Sequence, residues 1–94
     1  MKNNWEISFL GWRNIMGVYC IIENNIGNNI IHYVGSSKNI DKRINNQKHP
    51  YRILFNKGIN CFVKFKRFNN VDDMLNLERN LIRKIKPNYN TQNK

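Results

Sequence analysis

From Val71 to Ile85, apolar residues at Val71, Met74, Leu75, Leu81, Ile82 and Ile85 recur at three- and four-residue spacing. The spacing predicts an amphipathic helix with one inward stripe. Asp72 and Asp73 stand in its first turn and Arg83, Lys84 and Lys86 near its end, as the helix dipole prefers; Asn69 or Asn70 caps it and Pro87 stops it. Before this helix the period changes to two. Phe62, Lys64, Lys66 and Phe68 share one face, and Cys61, Val63, Phe65 and Arg67 the other, which reads as a strand. Two more strands, GVYCIIE from Gly17 and IIHYVG from Ile30, are β-branched and aromatic. The turn-rich NNIGNN between them makes a hairpin. Folding symmetrically about Ile26 sets Tyr19 opposite Tyr33 on one face. A one-residue slip would separate them.

After the hairpin, Ser36 or Ser37 caps a helix that turns Ile40 and Ile44 inward, and Pro50 opens a short helix closed by Gly58. The arm over residues 1–16 holds WEISF, able to add an edge strand, with Trp5, Phe9 and Trp12 as anchors; residues 88–94 form a tail. The expected order is ββααβα: an α/β fold with a small three-stranded antiparallel sheet, built on the central hairpin and flanked by helices. With 94 residues, the chain has material for a single core and so for one domain over 1–94.

Charge changes the picture most. Lys and Arg number 16 against 6 Asp and Glu, a formal net charge of +10. Such a balance favours a polyanionic partner, nucleic acid ahead of an acidic membrane surface. No apolar run approaches the ~20 residues of a membrane span, and the N-terminus does not read as a signal peptide. Cys20 and Cys61 are far apart and lack the spacing of a zinc site. Free thiols in a reducing compartment are expected, hence a soluble intracellular protein. Heavy use of Asn, Ile and Lys, whose codons are A/T-rich, points to a phage, virus or organelle as the source.

Four polar residues sit where packing alone would not put them. Glu78 interrupts the apolar stripe, and its neighbours one turn away, Met74, Leu75, Leu81 and Ile82, offer no ion pair. A carboxylate so placed either pairs with a buried arginine or binds a hard cation such as Mg²⁺. Arg43, between Ile40 and Ile44, is either a snorkelling surface residue or a phosphate ligand. Tyr19 and Tyr33 are either core aromatics with polar tips or groups that orient a water. On a strongly basic chain the four together suit phosphodiester hydrolysis.

The order GVY (Gly17–Tyr19), YVG (Tyr33–Gly35), SSKNIDKR ending in Arg43, a later helix carrying Glu78, and KPNYN resembles the GIY-YIG nuclease family from about Ile15 to Asn90. The resemblance implies a DNA endonuclease working with one Mg²⁺ or Mn²⁺. It casts Tyr19 as the general base, Tyr33 as a positioning tyrosine, Arg43 as the phosphate ligand and Glu78 as the metal ligand. Asn90, or Asn88, becomes the asparagine that props up the site, and Gly17 and Gly35 the motif glycines. Ser37 and Lys38 lie on the loop leading to Arg43 and are candidates for substrate contact. Lys42, Lys48, Arg52 and Lys57 are placed around the same site. Many members carry a histidine one turn after the arginine; here that position is Gln47. His49 is a candidate substrate contact if the helix end bends near Pro50, and is otherwise a surface histidine. His32, on the opposite strand face from Tyr33 by alternation, has no assigned role. One site implies nicking by a monomer, with double-strand cutting left to a homodimer or two binding events; a second chain is a candidate for supplying target recognition. The rivals are a non-catalytic nucleic-acid-binding module of the same fold and a structure-selective repair nuclease.

Overall fold

The fold is built on β2 (Gly17–Asn25), whose first six residues are buried. A strand covered on both faces reads as an unbroken apolar run, as GVYCII does. In this computed structural model, which describes residues 5–8, 14–46 and 48–90, β2 pairs antiparallel with β3 (Asn28–Ser37) and with β4 (Cys61–Arg67). The sheet has four strands, not three: the arm supplies β1 (Glu6–Ser8), which pairs with β4, giving the order β1-β4-β2-β3. Among the anchors expected in the arm, Trp5 packs at the sheet, while Phe9 and Trp12 lie outside the described residues.

Alternation sorts the side chains onto two cores. Tyr19, Ile21, Tyr33, Val63 and Phe65 face α1 (Ile40–Ile44) and α2 (Pro50–Asn56), which bury Ile40, Ile44 and Leu54 against them. Val18, Cys20, Ile22 and Val34 face α3 (Val71–Ile85). Ile40 and Ile44 are fully buried, contributing about 1.5–3 kcal/mol each. The cap of α1 is Asn39, not a serine: its side chain accepts from the Lys42 N–H, and the Ser37 hydroxyl braces it by bonding Asn39 N–H and C=O. Asn70 caps α3.

Three sequence expectations shift here. The hairpin turns at Ile26–Gly27 and carries a bulge opposite Ile21/Ile22, so Tyr19 faces Gly35 and Tyr33 faces Ile21. The displacement of the pairing is an even number of residues, so both tyrosines stay on one face, with ring centres 6.1 Å apart. The bulge also brings His32 to the tyrosine side, where it bonds Glu23 at 2.8 Å and meets Tyr89 edge-on. On α3, Met74 is buried and Leu77, Leu81, Ile82 and Ile85 pack against that core, while Val71 and Leu75 are exposed. Glu78 therefore lies on the flank of the inward stripe rather than at its centre.

Candidate active site

The edge strand β3 is the meeting place. Gly35 lies opposite Tyr19, and both tyrosine rings rest on its bare backbone. A Cβ there would come within 2.7 Å of Tyr33 Cε2 and 2.8 Å of Tyr19 Oη, so only glycine allows the rings to lie this close. Next along the strand, Val34 points its backbone outward, and Asn90 takes the place of a neighbouring strand. Its Oδ1 accepts from Val34 N–H and its Nδ2 donates to Val34 C=O, both at 2.9 Å. Asn90 is delivered there because α3 ends at Lys86 in the left-handed conformation, followed by Pro87 and a 3-10 turn over Asn88–Asn90. Asn90 is buried, and Asn88, the alternative, is exposed.

His49 is where the sequence reading falls short. It is 4 % exposed, not a surface residue. The chain leaves α1 at Ile44, and His49 becomes the cap of α2, its Nδ1 accepting from the Tyr51 N–H at 3.1 Å. Its Nε2 stands 2.7 Å from Tyr19 Oη, and its ring meets Tyr33 edge-on at 5.1 Å. Burial, and then the charge of Arg43, lowers the His49 pKa to about 4, so the ring is neutral at pH 7. With Nδ1 held as an acceptor, the single ring proton sits on Nε2. His49 therefore donates to Tyr19, leaving the tyrosine's own proton free for another partner.

Arg43 is exposed at the mouth of a cleft of about 300 Å³ lined by Tyr33, Asn46, Lys48, His49 and Pro50. Hydrogen bonding to Tyr33, then to Tyr19, raises its pKa further; at the Tyr19 hydroxyl the bond of full hydrogen-bond geometry is the one with His49. Burial, then Tyr33, raises the Tyr19 pKa, while Arg43 opposes the rise and Glu78 adds to it. Tyr19 is thus a phenol at neutral pH.

Glu78 approaches from the other face of the sheet. Its Oε1 accepts from Ser36 Oγ at 2.6 Å, and among the described residues it has no ion pair. Ser36, expected only as a possible helix cap, alternates with Gly35 and so points toward α3. Glu78 opens on a groove of about 560 Å³. The described residues hold no group of three or more His, Cys, Asp or Glu able to share a metal ion. A cation there would have one carboxylate, with water or phosphate oxygens completing its shell, which suits Mg²⁺.

The remaining expected residues are spread out. Ser37 is engaged in the turn before α1. Lys38 and Lys42 are exposed beside α1, and Lys48 lines the cleft. Arg52 stacks over Phe55 on α2, and Lys57 reaches the Tyr89 hydroxyl at 3.4 Å. Gln47 lies outside the described residues. Cys20 and Cys61 are free thiols, the first buried and the second half-buried. No described helix is long and apolar enough to cross a membrane.

The family model of the GIY-YIG catalytic domain matches residues 15–93. A UvrABC system protein C of Mycoplasmoides gallisepticum is 40% identical over 74 residues, which cover 76% of this chain but only 12% of that protein. No solved structure matches the chain. By its family match over most of its length, the chain belongs to the family of the GIY-YIG catalytic domain.

Proposed function

We infer that the protein hydrolyses phosphodiester bonds in DNA with the help of one divalent metal ion, Mg²⁺ or Mn²⁺, and that a single copy nicks one strand. The observation that carries this is the half-buried Glu78, which accepts from a hydroxyl and is in no ion pair among the described residues. A buried-side carboxylate without a counter-charge is costly unless a cation joins it. When bound, a divalent ion supplies neutralisation of the scissile phosphate and of the leaving oxygen.

The protein's own groups do the rest. Arg43, exposed at the cleft mouth, grips a non-bridging phosphate oxygen. Tyr19, braced by the His49 Nε2–H, orients the attacking water through its oxygen. Its ionisation is opposed by burial and favoured by Arg43, so as general base it works only while cationic charge is close. Tyr33 holds the cleft wall and steers Arg43. The +10 charge provides affinity through the phosphate backbone. A mobile element or phage as the source fits the heavy use of Asn, Ile and Lys, whose codons are A/T-rich.

Nicking of supercoiled plasmid tests this. Conversion to the open-circular form with Mg²⁺ or Mn²⁺, and none with EDTA, is expected. Binding without nicking on any DNA form would favour the non-catalytic module. A parallel RNA substrate separates the two nucleic acids.

A further inference from the structure

The cleft around Tyr33 and Arg43 lies on the α1–α2 face, whereas Glu78 belongs to the α3 face. The groove that Glu78 opens on is walled by Leu75, Arg79, Ile82 and Arg83. Arg79 and Arg83 stand one turn apart on the same side of the helix. Each is steered by an asparagine three residues before it: Arg79 Nη2 donates to Asn76 Oδ1, and Arg83 Nη1 to Asn80 Oδ1, both at 3.3 Å. Neither arginine is in an ion pair among the described residues, and both are exposed. The Asn-x-x-Arg unit occurs twice in succession, in NLERNLIR. Two steered guanidinium groups beside an apolar strip of Leu75 and Ile82 suit a sugar–phosphate backbone. The arginines meet phosphates and the strip meets sugars.

Hydrolysis in line puts the attacking water and the leaving oxygen on opposite sides of the phosphorus. Tyr19, which handles the water, is on the α1–α2 side, and Glu78 is on the α3 side. A strand placed between them has to cross the edge of β3 at Gly35. We propose that the α3 groove holds the scissile strand on the leaving-group side of the cut, with Arg79 and Arg83 bound to its phosphates. The proposal rests on the nuclease reading above.

The test compares wild type with Arg79→Gln/Arg83→Gln and with an equal-charge control on the same helix, Lys84→Gln/Lys86→Gln. Binding of a labelled DNA duplex is measured in EDTA between 50 and 200 mM salt. Loss of two phosphate contacts lowers the slope of log affinity against log salt by about 1.8, so the fall in affinity over that range shrinks about 12-fold. The control is expected to change the slope by less than half as much. Methylphosphonates walked across the duplex are expected to weaken wild-type binding on both sides of the cut, and binding by the arginine variant on one side only. An arginine variant no different from the control, or a methylphosphonate pattern identical to wild type, overturns the proposal. Absence of both binding and nicking by wild type overturns the nuclease reading and this proposal with it.

Discussion

At the residue scale, His49 shows how environment assigns a role that residue type alone does not. Its Nδ1 is tied to the Tyr51 N–H and its Nε2–H to Tyr19, so it braces the tyrosine as a neutral donor. The unfolded imidazole takes up a proton near pH 6.5, the folded one only near pH 4. Between these values the unfolded state binds more protons, so stability falls as pH is lowered through that window and levels off below it. Urea midpoints at pH 7 and pH 4.5 are expected to differ less in His49→Gln than in wild type; an unchanged difference would mean that His49 is not buried as a neutral ring. In Gly35→Ala, the added methyl group meets Tyr19 Oη and Tyr33 Cε2. The rings have to move while the strand persists, so nicking falls by at least about 100-fold, as misplacement of a reacting group by an ångström does. A steady-state nicking rate within tenfold of wild type would show that the rings need not touch Gly35.

At the element scale, the site hangs on how β3 is held. Its outer edge at Val34 is closed by one side chain, Asn90, with a donor and an acceptor in opposite directions. Asn90→Ala leaves two buried backbone groups without partners and is expected to cost about 2–4 kcal/mol by urea unfolding. Asn90→Asp keeps the shape but sets an oxygen against the Val34 carbonyl, and is expected to cost a similar amount at neutral pH. If aspartate is tolerated, the clamp is not what holds the edge. The periodicity that gave the helices and β4 was legible because each buries one face, and a slip would expose it. The hairpin register was not legible. β2 is apolar on both faces, so no slip is penalised by its pattern, and the bulge at His32 has no sequence period. The tyrosines still landed together because the displacement of the pairing was even. Glu78 stood out because α3 is amphipathic. Its place on the flank depended on Leu77 packing inward where Leu75 does not, a choice set by the sheet beneath it. His49 was obscured for a similar reason: it sits at a break between helices, where no periodicity reports burial.

At the scale of the whole molecule, helices on both faces of a small sheet leave one edge, β3, where groups from either side meet. Tyr19, Tyr33 and Arg43 come from one face and Glu78 from the other, and the chain's charge surrounds both. Affinity for DNA is therefore expected to fall steeply with salt; filter binding at 50 and 200 mM salt checks this, and a flat response would place recognition elsewhere. The proposed reaction turns on Glu78, a carboxylate that is in no ion pair among the described residues. The most direct test is plasmid nicking by Glu78→Gln in Mg²⁺, with DNA binding measured in parallel. Nicking abolished with binding retained is the result expected of a metal-holding carboxylate. Metal-dependent nicking at wild-type rates by purified Glu78→Gln would contradict the account.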